Sequence, residues 1–457
     1  MAWRGFPLLV LALAGSWACA ARAEVALTVA LAKTYLENPR LEAARAGLRA
    51  VDEDVPAAKA GWRPRLSART AIGMERTTTT IGDAVVQGQQ AGLFLEQPVY
   101  DGGATQAAVD GAEAAVGAAR ERLLVEEQNV LFLGVRAFVG VLRQQRVLEV
   151  ALANERRLGE QVQGARSRFR YGQTTGTDVA FAEARAAEAV ARRRGAEADL
   201  RMAGNAFKRV IGDPPGTLIP PGLPPGLPAS LAEAVDLARD HPLAAAAGLD
   251  LQVAQARKGA ALARLEPRLA LTGEAGYGQD AAGGGDWDQR LGVGASLAVP
   301  LYDGGLGYAR IRQSRQLMIE GRHRLADARR AAEAEAASAW EAYQSAGDEL
   351  LSLRGRAKAA SLALDGVRQE VAAGARDLLQ VLEAEQDLFE AEVDLALADE
   401  ARVVAAYRLL AATGGLTAER LGLDVSLYDP DAYYSEVRGL WSGLGRGSRD
   451  DDEAGSD

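Results

Sequence analysis

Catalytic and metal-binding chemistry needs histidines, cysteines, carboxylates or nucleophiles at fixed spacing, and this chain offers few of them. Its two histidines, His241 and His323, stand at unrelated positions. No Gly-x-Ser-x-Gly elbow, phosphate loop, dinucleotide fingerprint or zinc spacing accompanies them. His241 precedes Pro242 and reads as a helix-start residue. The single cysteine, Cys19, lies in an N-terminal leader, so the mature chain should hold no disulfide. The acidic run Asp450-Asp451-Asp452-Glu453 has the form of a solvated tail. These features argue against an enzyme and predict no cofactor and no bound metal.

The informative residues form a phrase that occurs twice, Tyr100-Asp101-Gly102-Gly103 and Tyr302-Asp303-Gly304-Gly305. Each copy follows an alternating apolar stretch and precedes a long helical one, and its glycines allow the backbone to change direction. Other landmarks recur at the same spacing of about 200 residues: Asn38-Pro39 with His241-Pro242, Pro64-Arg65-Leu66 with Pro267-Arg268-Leu269, Gly172 with Gly374, and Val179 with Val381. Because Pro and Gly punctuation aligns along with composition, the chain reads as a two-fold internal repeat.

Aromatic residues make up only 5% of the 457, which suits close-packed helices better than one thick core. Residues 1–23 carry Arg4, an apolar run and Ala21-Arg22-Ala23, the pattern of a secretory signal peptide cut before Glu24. A lipid anchor at Cys19 is disfavoured because Ser16-Trp17-Ala18 lacks the usual leucine. Loss of Arg4 and Arg22 would take the formal charge from −10 to −12, against a nucleic-acid partner. Beyond the leader no stretch of about 18 uncharged apolar residues occurs, so no membrane-spanning helix is expected.

The first repeat, 24–212, opens with a helix broken at Asn38-Pro39 and ended by Pro64. Period-two alternation then predicts strands at 65–76 and 89–99, joined by a polar turn from Thr77 to Gly88. Ala104 to Tyr171 should be one helix of about 100 Å at roughly 1.5 Å per residue. Gly172 and Gly176 break it at a helical-tip turn, and Thr177-Asp178 should cap a returning helix over 177–211. A proline-rich linker spans 213–229. The second repeat, 230–413, repeats the plan with strands at 268–278 and 289–299, a long helix over 304–373, a turn at Gly374 and a helix over 377–413. Residues 414–457 form a C-terminal segment with an acidic tail.

Each strand is about 10 to 12 residues, apolar on one face and polar or small on the other, as a lipid-facing, water-lined barrel requires. Four strands cannot close, and an open edge is not tolerated in lipid. Two chains would give eight strands and a filled interior; three give twelve and leave a lumen. The fold class is therefore an α+β membrane protein: a homotrimeric 12-stranded transmembrane β-barrel, four strands per chain, continuous with a long α-helical barrel.

The duplicated plan, the paired Tyr-Asp-Gly-Gly junctions and the stretch Leu378-Leu379-Gln380-Val381-Leu382-Glu383-Ala384 resemble the TolC-like outer-membrane channel family over essentially the whole mature chain. The resemblance implies a homotrimer in outer-membrane lipid of a Gram-negative bacterium, with a periplasmic tunnel. It also implies docking through a periplasmic adaptor to an inner-membrane ABC transporter or proton-driven pump. In that family the tunnel closes at an acidic ring; by motif position the constriction here is Gln380 and Glu383, where best-known members carry aspartate twice. The matching gate latch is Thr177 and Asp178 against Arg376, and a tyrosine usual in that lock is Val371, implying a looser gate. From the residues alone, Glu383 repeated around an axis would favour cations, and Arg376 with Asp178 would be a surface pair worth under about 1 kcal/mol.

The expected function is a passive exit duct. The ending Leu427-Tyr428-Asp429-Pro430, Tyr433, Val437-Arg438 and Trp441 resembles channels of type I protein secretion. The alternatives are a drug or metal efflux duct of the same build and, from another class, a secreted helical scaffold that does not conduct.

Overall fold

The computed structural model describes residues 24–80, 82–279 and 287–443. The leader and the acidic tail lie outside the described residues. The chain starts with strand β1 (Glu24–Val25), then helices α1 (Leu27–Glu37), α2 (Pro39–Asp52) and α3 (Asp54–Lys59), and a 3-10 turn at Ala60–Trp62. Asn38 separates α1 from α2: its side chain accepts a hydrogen bond from the Arg40 amide, and Pro39 occupies the first turn, where no donor is needed.

Strands β2 (Arg65–Thr79) and β3 (Gly82–Tyr100) follow. They pair antiparallel without interruption from Arg65↔Glu96 to Thr79↔Gly82. This corrects the expected turn over Thr77 to Gly88, most of which is strand. Polarity there reads as a turn signal, yet threonine suits a pleated strand.

Helix α4 (Ala104–Arg170) is 67 residues long, and α5 (Gly176–Ile211) returns beside it. Strand β4 (Thr217–Leu218), inside the proline-rich linker, pairs in parallel with β1. Then come α6 (Leu231–Ala238), α7 (Pro242–Ala263), β5 (Arg268–Gln279), β6 (Trp287–Ala298), α8 (Leu306–Ala372), again 67 residues, α9 (Leu378–Ala412) and the short α10 (Pro430–Val437). His241 caps α7, its Nδ1 accepting from the Leu243 amide at 3.1 Å.

The four long strands form one sheet in the order β2-β3-β5-β6, so β3 joins β5 across the two halves of the chain. One face carries Leu66, Ile72, Leu93, Leu95, Leu271, Tyr277, Leu291, Val293 and Leu297, all exposed, with Val293 at 90%. An apolar surface of this kind is covered by something outside the single chain. No described helix is long and apolar enough to cross a membrane.

The two largest apolar cores between the helices lie along α4. Midway along α4, Leu131, Val135 and Phe138 meet Leu31 and Leu41 from the first helices, Phe207 and Ile211 from α5, and Leu410 and Leu416 near the C-terminus. At the far end, Leu158, Val162 and Ala165 of α4, Ala182 and Ala189 of α5, Leu364 of α8, and Val381 and Leu382 of α9 share a second core. Alanine at this seam allows the backbones to approach closely.

Candidate functional site at the junctions and the helical tip

At both strand-to-helix junctions the same device turns the chain. Gly102 and Gly103 have φ of 71° and 87°, and Gly304 and Gly305 have 72° and 87°, a left-handed conformation that favours glycine. Between Tyr100 and the helix, Asp101 accepts hydrogen bonds from the amides of Gly103 (3.0 Å) and Thr105 (2.7 Å), and from the Thr105 hydroxyl. After Tyr302, Asp303 accepts from the amides of Gly305 (3.1 Å) and Gly307 (2.6 Å). A carboxylate there satisfies open donors and suits the positive end of a helix dipole. Gly102 is required twice over, because a Cβ there would collide with Glu266, just past α7, and with the Ala263 carbonyl oxygen at its end.

The two tip turns also match. Gly172 (φ 70°) and Gly374 (φ 77°) end α4 and α8, with the next amide in each case reaching back, Gln173 to Arg168 O at 2.9 Å and Ala375 to Glu370 O at 2.9 Å. Gly176 is not part of such a turn; it is the first residue of α5. The helix cap likewise differs from the expected Thr177-Asp178. Thr175 is the N-cap, its Oγ1 accepting from the Asp178 amide at 3.2 Å while Asp178 accepts from the Thr175 amide at 3.0 Å, a capping box. Hydrogen bonds from Thr174 and Thr175 hold the Asp178 carboxyl below its ordinary value.

That capping box accounts for a second difference. Within this chain Arg376 does not meet Asp178 or Thr177; from the turn after α8 its Nε lies 2.5 Å from Glu370 Oε2, near the end of that helix. Asp178 is engaged by its own turn, and Thr177 is exposed with no side-chain hydrogen bond among the described residues. Val371 packs beside the tip core. Gln380 and Glu383 fall three residues apart on one side of α9: Gln380 is half-buried, and Glu383 is exposed. Gln380 Oε1 finds no partner among the described residues.

One buried charged link between the halves is absent from the sequence reading. Glu385 of α9 is fully buried, its Oε2 2.8 Å from Arg157 Nε on α4 and its Oε1 2.5 Å from Arg368 Nη2 on α8. Arg157 also reaches Glu392 at 3.5 Å. One carboxylate thus ties three helices, and removing one partner of a buried pair typically costs about 3–5 kcal/mol. A signal was present: Leu378, Val381, Leu382, Leu388 and Phe389 are the buried apolar seam of α9, and Glu385 occupies a seam position by spacing.

A four-stranded sheet, apolar on one face and polar or small on the other, that passes through capped glycine turns into helices of this length is the subunit plan of a TolC-like outer-membrane channel. Relatives agree with the geometry. The model of the outer membrane efflux protein family matches residues 30–213 and 235–415, so the chain belongs to that family. It is 35% identical over 424 residues to the outer membrane efflux protein BepC of Brucella suis, covering 92% of this chain and 91% of that one. It is 28% identical over 324 residues to the alkaline protease secretion protein AprF of Pseudomonas aeruginosa, covering 67% and 65%. Its fold matches the CmeC outer membrane channel of Campylobacter jejuni with a TM-score of 0.76 at 14% identity, over 90% of this chain and 89% of that one. The family is one of outer-membrane channels rather than enzymes. The protein is therefore an outer-membrane export channel with a periplasmic helical extension.

Proposed function

We propose that three copies of the chain pool their sheets into one twelve-stranded barrel, forming a passive duct driven by an inner-membrane transporter through a periplasmic adaptor. The observation that carries this reading is the sheet itself, whose outer strands β2 and β6 each leave one edge unpaired while its apolar face lies bare. Unpaired edges are not tolerated in lipid, and a barrel of eight strands would be filled by side chains. The duplicated element order supports a two-fold repeat, each half donating one hairpin and one pair of long helices. In the assembled duct Glu383 and Gln380 would line the periplasmic constriction, with Arg376 near the turn beside them. Protein purified in detergent should run as a heat-resistant trimer and insert as single channels; a stable monomer without conductance would end the proposal.

Two cargo readings have support. Efflux of small molecules is favoured by BepC, the relative with more of its length matched and the higher identity. Type I protein secretion beside an ABC transporter is favoured by AprF and by the resemblance of the C-terminal segment. We rank efflux first. A deletion strain should become sensitive to dyes and detergents while its secreted proteins stay unchanged; loss of one secreted protein without sensitivity would reverse the order.

A further inference from the structure

Directly opposed residues of an antiparallel ladder share a face. The registers Arg69↔Gly92, Gly92↔Gly276 and Gly276↔Arg290 therefore set one row across all four strands on the polar face: arginine, glycine, glycine, arginine. At about 4.8 Å per strand, the two arginines start about 14 Å apart. The floor between them is bare peptide. A Cβ on Gly276 would lie 2.9 Å from the Ala91 carbonyl oxygen, and one on Gly92 would lie 3.3 Å from that of Ala275. Above this floor is a hollow of about 240 Å³ lined by Arg69, Gln90, Phe94, Glu274 and Arg290 among others.

Both guanidiniums are exposed, and neither has an ion pair or hydrogen bond among the described residues. Arg69 instead stands 5.0 Å over the Phe94 ring. The nearest carboxylates belong to other rows. Glu274 is one row nearer the helices, beside Gly292, and Asp288 is one row nearer the hairpin ends. Arginines at the helical seams behave differently: Arg157, Arg166, Arg193 and Arg368 each hold a carboxylate.

We propose that this row is an anion-binding girdle inside the barrel, taking solutes with clustered carboxylate or phosphate groups. The inference rests on the three-copy reading, in which each copy adds two guanidiniums at one level of the lumen. Rings of basic side chains select anions in pores, and unpaired guanidiniums bind such groups through charge-assisted hydrogen bonds. The row lies on the face turned from lipid, so lipid headgroups are not its occupants.

The test is block of single channels by inorganic tripolyphosphate added on the side of the hairpin ends, which reaches the barrel without passing the tip. The Arg69→Gln/Arg290→Gln double variant should raise the half-blocking concentration at least about tenfold, equivalent to about 1.4 kcal/mol. Arg69→Lys/Arg290→Lys should keep most of the block. Arg65→Gln, two rows away, should shift it less than about threefold, since more distant charge is screened. Equal block in the double variant, no block of conducting channels, or an equal shift from Arg65→Gln would overturn the girdle. If the protein does not conduct at all, the three-copy reading fails first. Calorimetric titration of tripolyphosphate into the purified protein then tests the row alone, where binding lost in the double variant supports it and no binding overturns it.

Discussion

Asp52, at the end of α2, is fully buried, and neither carboxylate oxygen has a hydrogen-bond partner among the described residues. Burial is the main cause that pushes its carboxyl up from 3.8 to about 6, opposed by Arg120 on α4 and aided by Glu53 and by Asp431 on α10. Arg120 cannot fully neutralise it, because that guanidinium is held 2.6 Å from Asp431. The folded-state value lies above the unfolded one, so ionised Asp52 opposes folding at neutral pH. As pH falls through about 6 the folded chain takes up the proton first and gains stability; below about 4 both states are protonated and nothing more changes. The gap corresponds to about 3 kcal/mol per chain at 1.36 kcal/mol per pH unit. Asp52→Asn mimics the protonated form and should recover that amount at pH 7.5. With unfolding entropy near 2.1 cal/mol/K per residue, a chain of this length should melt about 3 °C higher. Circular dichroism melts in detergent at pH 7.5 and pH 4 would check it. No rise at pH 7.5, or a rise of the same size at pH 4, would refute the buried-charge account.

Other outcomes follow from the tip and the junctions. Glu385→Ala should cost about 3 kcal/mol, leaving two arginines without their shared partner, and should raise single-channel conductance by loosening the tip; unchanged stability and conductance would remove it from the tie. Arg376→Ala and Glu370→Ala should be non-additive in their small effect, under about 1 kcal/mol, whereas Arg376→Ala with Asp178→Ala should add. Glu383→Ala should weaken block by multivalent cations from the periplasmic side about tenfold, or about 1.4 kcal/mol; equal block would place it away from the constriction. Gly102→Ala should lower the melting point more than Gly103→Ala. Both force a left-handed backbone, costing about 1–2 kcal/mol, but only the first also strikes Glu266.

Much of this architecture is visible in the residues, because the features that carry it are local. Proline and glycine interrupt the helices where backbone geometry demands it, and alternation over Leu269 to Val299 marks a pleat with unlike faces. The strand extension through Thr77 to Gly88 is hidden because polarity alone does not separate a turn from a strand. The two-residue pairing of β1 with β4 is too short to carry any pattern. At the tip, Asp178 could serve either a distant arginine or its own helix end; sequence neighbours Thr174 and Thr175 decide for the latter, and only coordinates display that competition. Glu385 was overlooked because a lone carboxylate on a helix normally faces solvent. Its partners, Arg157 and Arg368, are remote along the chain.

The β1 and β4 pairing also bears on the order of assembly. Glu24–Val25 needs only Thr217–Leu218, so the first half can fasten its beginning to its end before the second half has emerged from export. The hairpin Arg65–Tyr100 has to wait longer, since the inner edge of β3 is completed only by Arg268–Gln279. A chain in transit would thus gather its first-half helices early, while its oil-seeking strands stay short of neighbours until the second half arrives.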